Sequence, residues 1–285
     1  MKWIAFLLLV LGGSLAAQTK AEQWLYLDNG QVRLGLNLSA GACVGWFSHS
    51  HSSNNLLNAY DVGRYLQQAW YGDADGSDWD GKPWNLNPVQ GGAWRNEPSE
   101  ILESSQQQGR HYVRLRPRHW ATGQLLNDFT FEQWACLQGG LARLRYVMHY
   151  HGSATHKARH QELPALYVGP QLDTLWLADA QGVLSALKPG GRNEYHKLAQ
   201  PWLIWGRDDR DQSQALGMWC PHAEQVTVFR VRQGNRADCS YAAALRTMAL
   251  TPGMRYEYNA TLAIGSVQQI QQVFSKLNQT ASSCK

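Results

Sequence analysis

Past its first seventeen residues the chain has no apolar run approaching the ~20 residues that a membrane-spanning helix requires, so no internal span is expected. Blocks of like charge are missing too. Lys and Arg number 26 against 22 for Asp and Glu, and they are scattered. That balance leaves no electrostatic footprint for nucleic acid or an anionic membrane, while a mildly acidic polymer stays compatible with it. The five cysteines, Cys43, Cys136, Cys220, Cys239 and Cys284, include no CxxC pair and no Cys/His pair at zinc spacing, so no structural zinc is expected. Helical periodicity is scarce. No segment repeats at a fixed period, which speaks against a propeller, the alternative that many short strands would otherwise leave open.

The N-terminal segment differs in kind. MKWIAFLLLVLGGSLAAQ has one Lys, an apolar run from Trp3 to Leu11, and small residues at Ser14 and Ala16. This is the layout of a secretory signal peptide. Residues 1–17 are expected to be removed, leaving 18–285 as one exported domain, periplasmic or extracellular. In an oxidising compartment one or two disulfides are expected, and Cys220 with Cys239, which flank QVTVFRVRQGN, are the first pair to test.

What is present is mostly strand. WLYLDNGQVRLGLNL holds two alternating runs around Asp28-Asn29-Gly30, a strong hairpin signal. HYVRLRPRHW, NDFTFEQWACL, LARLRYVMHYH, DTLWLAD, EQVTVFRVR and RYEYNATLAIG alternate or are rich in β-branched and aromatic residues. SVQQIQQVFSKLNQ alone has helical spacing, with Val267, Ile270, Val273, Phe274 and Leu277 on one stripe. The pattern predicts an all-β fold, a large antiparallel sandwich with few short helices, one of them near the C-terminus.

Aromatic residues carry the functional signal. Between Tyr60 and Trp94, rings are interleaved with acids, amides, glycines and Arg64. A sugar offers an apolar C–H face that stacks on Trp or Tyr and a hydroxyl rim that needs planar polar partners. Tyr65, Trp70, Tyr71, Trp79, Trp84 and Trp94 would serve as platforms. Asp61, Arg64, Gln67, Gln68, Asn85, Asn87 and Gln90 would grip hydroxyls, and Gly72 through Gly81 would hold part of the set on a loop. Any one Trp is better explained as core, the cluster as a whole less well, because nearly every ring has polar neighbours. If DVGRYLQQAWY is a regular strand, Asp61, Tyr65, Gln67 and Tyr71 share one face and Arg64, Gln68 and Trp70 the other, so the whole set cannot face one cleft without a bulge. DADGSDWDG lacks the regular ligand positions and closing Glu of a calcium loop, and no metal or other cofactor is expected.

A second segment, HYHGSATHKARHQELPALY, has loose histidine spacing that reads as a solvated loop from His149 to His156. In RHQELPALY, His160 and Glu162 share a strand face before Pro164 breaks the run. They form a workable acid/base pair or, equally, a structural tie between strands.

NLLNAYDVGRYLQQAWYG, GKPWNLNPVQGG, HQELPALY, QALGMWCPH and YAAALRTMALTPGMRYEYNATLAIGSVQQI together resemble a family of secreted bacterial proteins. The resemblance implies the galactose-mutarotase-like supersandwich, which some polysaccharide lyases and glycoside hydrolases share. By position it points to Asp61, Gly63, Arg64, Gln67, Tyr71, Trp84, Asn87, Pro88, Gln90 and Gly91, and to Gln161, Glu162 and Pro164. The chain departs from it at Ala93, where an acid is expected, and at Ala243, where a proline often stands.

The sequence thus predicts an exported carbohydrate-active protein that binds an oligo- or polysaccharide in an aromatic-lined cleft. Asp61 and Glu162 would serve a glycoside hydrolase. Tyr71 or His160 would be the base of a polysaccharide lyase, and His160 with Glu162 the pair of a sugar epimerase. Arg64, Gln67, Trp70, Trp84, Asn87, Gln90 and Trp94 would bind substrate. The alternatives are a non-catalytic glycan-binding protein of the cell envelope and a structural protein with an aromatic core.

Overall fold

The structure, a computed structural model, describes residues 23–207, 214–277 and 284. The expected signal peptide lies outside the described residues. Two large antiparallel sheets dominate. The nine-stranded sheet runs in the order Glu100–Gln107, Arg110–Arg116, Phe129–Gln138, Leu141–Tyr150, Arg255–Gly265, Ala215–Trp219, Trp202–Gly206, Thr174–Ala178, Leu184–Leu187. The seven-stranded sheet runs Arg118–His119, Pro88–Val89, Gln67–Ala69, His156–Val168, Cys239–Leu250, Gln225–Val231, Glu194–Lys197. This is the predicted antiparallel sandwich.

Period-two alternation builds the core between the sheets. In Phe129–Gln138, residues Phe129, Phe131, Gln133 and Ala135 are buried and their neighbours half-buried. Leu144, Tyr146 and Met148 from the large sheet join Leu163, Leu166, Val228, Ala242 and Ala244 from the smaller one in a single apolar cluster. Each such fully buried Leu, Val or aromatic side chain contributes about 1.5–3 kcal/mol. The small sheet's other face is exposed to a cleft.

The predicted hairpin is present: Trp24–Asp28 pairs with Val32–Asn37. Gly30 takes φ 81° there, and Asp28 Oδ1 accepts from its amide at 2.9 Å. The C-terminal helix spans Val267–Phe274 and opens on a Ser266–Gln269 capping box. Val267, Ile270 and Phe274 bury against Trp202, Ile204 and Trp219 on the outer face of the large sheet. Gly217 makes room for it, since a Cβ there would lie 2.4 Å from Ile270 Cγ2. Val273, placed on the buried stripe by spacing, is 37% exposed because the eight-residue helix contacts the sheet over a narrower arc.

Several expectations are corrected. Cys136 pairs with Cys284, while Cys220 and Cys239 are free and buried. Those two follow and open strands of different sheets. DVGRYLQQAWY is not one strand, for only Gln67–Ala69 is extended in a ladder. Gly72 to Gly81 is not a loop either. Ala74–Trp79 and Lys82–Asn85 form a two-stranded hairpin, turned by Asp80 and Gly81 at φ 52° and 77°. His149 lies in the strand Leu141–Tyr150. Pro164 does not end its strand: His156–Val168 continues through it, with a register shift between Glu162 and Ala165 against both neighbours. The Leu163–Pro164 bond is cis.

Candidate functional site

The outer face of the seven-stranded sheet carries Glu162, Ala165 and Tyr167 from one strand, Tyr241, Ala243 and Leu245 from the next, and Phe229 beyond. Small side chains at Ala69 and Ala165 leave space above the sheet. The result is a cleft of ≈ 520 Å³ lined by rings from Tyr71, Trp79, Trp84, Trp120, Tyr167, Phe229 and Tyr241. Trp79 and Trp84 come from the hairpin and meet edge to face with centroids 4.7 Å apart, while Trp79 touches Trp120 at 5.9 Å. Gly63 lets Trp120 close that wall, because a Cβ at 63 would fall 2.4 Å from the indole.

The hairpin is pinned at its base. Asp75 Oδ2 lies 2.8 Å from Nε2 of the buried His119, and the Leu86 and Gly72 amides close the stem on Asp73 and Leu86 carbonyls. Its outer strand presents Lys82 to the cleft.

Glu162 is the one carboxylate among the residues lining this cleft. The Tyr71 hydroxyl donates to its Oε1 at 3.1 Å, and Tyr241 supplies a second hydroxyl hydrogen bond. Burial raises the Glu162 pKa above the ordinary carboxylate value, and the two phenol hydrogen bonds oppose that rise. Burial, then the neighbouring Glu162 charge, pushes the Tyr71, Tyr167 and Tyr241 phenols well up. Both phenols beside Glu162 are therefore proton-bearing donors at neutral pH. Gln161, on the opposite side of the strand, accepts from the Tyr71 amide at 2.6 Å and donates to the Tyr71 carbonyl at 3.0 Å, which fixes Tyr71 just past its short strand.

The sequence-predicted residues divide. Tyr71, Glu162, Gln67, Trp84 and Asn87 come together in the lining. Two of these have committed amides: Gln67 Oε1 accepts from Gly91 N at 2.7 Å and its Nε2 donates to Gly63 O at 2.6 Å. Asn87 donates to Trp70 O and accepts from Trp84 Nε1 at 3.2 Å, so it aims the indole.

Others lie elsewhere. Trp70 is fully buried, edge-on to Tyr256, because its parity turns it into the core. Tyr65 is buried with its hydroxyl accepting from Asn37. Gln90 is fully buried and spans Gly41 O and Gln133 Oε1, a bridge inside the core. Trp94 is half-buried outside the lining and donates to Ala121 O. Asp61 and Arg64 pair with each other at 3.3 Å beside the cleft, and Arg64 also donates to Ala237 O. Burial raises the Asp61 pKa while Arg64 lowers it. His160 shares the face of Glu162 but stands one pair farther along, about 7 Å by strand rise. There it is exposed, with Nδ1 2.8 Å from Thr247 Oγ1 and its ring against Tyr195. Ala93 is buried outside the lining, so the departure there removes no cleft group.

Sequence reasoning missed Trp120, Tyr167, Phe229 and Tyr241, the first from the turn after Arg118–His119 and the other three from strands distant in the chain. The run Tyr241-Ala242-Ala243-Ala244, an aromatic followed by three small residues, was the available signal. Among the described residues no group of three or more His, Cys, Asp or Glu could hold a metal ion, and no helix is long and apolar enough to cross a membrane.

No family model matches the chain, and no curated protein sequence matches it significantly. Solved structures do. It is similar to a galactose mutarotase related enzyme from Lactobacillus acidophilus, at 11% identity over 86% of this chain and 98% of that one, TM-score 0.57. A galactose mutarotase-like protein from Lactobacillus casei gives 10% identity over 85% and 100%, TM-score 0.57. The 4-alpha-glucanotransferase from Thermococcus litoralis matches over 86% of this chain and 38% of its own, at 10% identity and TM-score 0.52. The fold is that of the galactose-mutarotase-like β-sandwich proteins.

Proposed function

We propose that this is an exported carbohydrate-active enzyme that binds an oligo- or polysaccharide in the cleft and moves a proton on a sugar ring through Glu162. One observation carries the reading: a single half-buried carboxyl, gripped by two phenols, lies at the floor of a cleft walled by seven rings. Sugar C–H faces stack on Trp79, Trp84 and Trp120. A carboxyl whose pKa burial raises above the ordinary value is a stronger base than an exposed carboxylate.

Hydrolysis by paired carboxylates needs two acids flanking the bond, about 5–5.5 or 6.5–9.5 Å apart. Asp61, the second acid expected from sequence, stands beside the cleft in an ion pair. Proton abstraction needs one. Glu162 would take it from an anomeric hydroxyl in epimerisation, the reaction that the names of the fold relatives suggest, or from a ring carbon in β-elimination. Tyr71 and Tyr241 would donate to the oxygen that gains charge, in place of the base role expected for Tyr71. His160 serves neither step from its place outside the lining.

The test is to incubate the protein with free aldoses and a panel of polysaccharides, following anomeric exchange by NMR, unsaturated sugars by ultraviolet absorbance, and reducing ends. Exchange or unsaturated product, lost in Glu162→Gln, is the expected result. New reducing ends without unsaturation would refute proton transfer in favour of hydrolysis. Binding without product would identify a non-catalytic glycan-binding protein instead.

A further inference from the structure

The cleft does not end at Phe229. A second depression of ≈ 740 Å³ lies beside it, lined by Lys188, Arg230, Arg232 and Gln233 among others. Gly191 and Phe229 line both, so the two form one continuous groove across the strand Gln225–Val231. Glu162 is the one acidic side chain lining either part, and it is half-buried and hydrogen-bonded by two phenols.

The cations differ in how they are compensated. Asp173 sits 3.3 Å from Lys188 Nζ and 3.2 Å from Arg230 NH1, which neutralises part of that pair from below. Three others make no ion pair among the described residues. Arg232 lines the second depression. Arg192 is exposed between Gly191 and Asn193, both of which line the cleft. Lys82 is exposed on the hairpin with Nζ 5.9 Å from the Trp79 ring. Lys82 and Arg232 therefore line opposite ends of a groove whose stacking surface is aromatic, and Arg192 follows the glycine that lines both parts.

We propose that the groove takes an anionic polysaccharide, one sugar stacked on the indoles over Glu162 and following acidic residues held by Arg192 and Arg232. This rests on the saccharide reading of the cleft and adds the substrate class and a second subsite. Guanidinium groups bind carboxylate or sulfate with paired parallel hydrogen bonds, so a charge repeated along the polymer suits cations spaced along the groove. Exposed cations also speed encounter with a polyanion, an effect that salt suppresses.

A glycan array carrying neutral, uronate and sulfated oligosaccharides tests this, with hits followed by tryptophan fluorescence titration. Uronate or sulfated oligomers are expected to bind, and the two arms say which anion is read. A β-1,4-mannuronate hexamer is expected to outbind the β-1,4-mannose hexamer, which carries hydroxymethyl groups in place of the carboxylates. High salt should erase the difference. Arg192→Glu with Arg232→Glu should weaken the best acidic hexamer about tenfold while leaving its disaccharide unchanged, with melting temperature checked to confirm folding. Preference for neutral glycans, or indifference to both charge reversals, overturns the proposal but leaves the saccharide cleft standing. No hit on the array overturns both.

Discussion

Tyr71 and Glu162 meet across 91 residues of sequence, hydroxyl to Oε1 at 3.1 Å, with the Tyr71 backbone clamped by the side chain of the residue preceding that glutamate. Such a donor and acceptor act as a unit. Glu162→Gln is expected to lower turnover by about 10²–10⁴-fold with saccharide affinity nearly unchanged. Tyr71→Phe should lose less, because Tyr241 still donates. Steady-state kinetics beside fluorescence titration would check both, and a parallel loss of affinity would contradict the assignment.

Glu162 also makes a prediction about stability. Its folded pKa is raised by burial, so the folded state holds that proton more tightly than the unfolded chain. The contribution is complete below the ordinary Glu value and is lost as pH climbs through the raised one. Glu162→Gln should therefore melt higher than the parent at neutral pH and no higher at pH below the Glu range. Calorimetric melts across pH would show it.

Two buried histidines act in the opposite sense. Burial lowers His111 and His222 to about 4 from the usual 6.5. Each is neutral in the fold where the unfolded chain takes up a proton, so stability present above 6.5 drains away as pH falls toward 4, by up to about 1.4 kcal/mol per pH unit for each. Denaturant titrations should resolve this acid slope, and His111→Asn should remove part of it.

Indole truncations should separate wall from core. Trp84→Ala removes a platform in the cleft and is expected to weaken saccharide binding about tenfold with a small change in melting. Trp70→Ala empties a site in the core and should cost about 3–5 kcal/mol of stability. Affinity and unfolding free energy, measured on both variants, give the contrast.

The Cys136–Cys284 bridge ties the C-terminus to a central strand across 148 residues. Chain-entropy reasoning puts the loss on removal near 5 kcal/mol at most, since about that is gained by closing so long a loop. Cys284→Ser should fall well below the parent in thermal melting under oxidising conditions and match it after reduction.

The class of fold was legible because alternation is written into long strands such as Phe129–Gln138, and the first hairpin because Asp28-Asn29-Gly30 is turn chemistry. The site was legible only in part. Parity sorted Gln67 and Tyr71 from Gln68 and Trp70, yet it also put Tyr65 and Asp61 with the first pair, and these stand outside both the ladder and the cleft lining. Gln90 looks like a ligand-gripping amide in sequence. It is a core bridge because Gly41 lets the backbone at 90 approach so closely that a Cβ would lie 2.1 Å from Gln90 O. Three of the seven rings, Tyr167, Phe229 and Tyr241, come from strands whose adjacency is long-range pairing, which local pattern does not carry.

The irregularity beside Pro164 governs which way the strand His156–Val168 looks. From His160 to Glu162 its even-numbered residues face outward; from Ala165 the odd-numbered ones do, with Gln161, Leu163, Leu166 and Val168 buried beneath. One residue is thus surplus to a regular zigzag, and excising Pro164 would leave every later side chain pointing as it does now. Excising Leu166 instead would drive Tyr167 into the oily interior and bring Val168 out. Insertions and deletions along this thirteen-residue stretch should accordingly be tolerated only at its two irregularities, beside Pro164 and between His156 and Arg159.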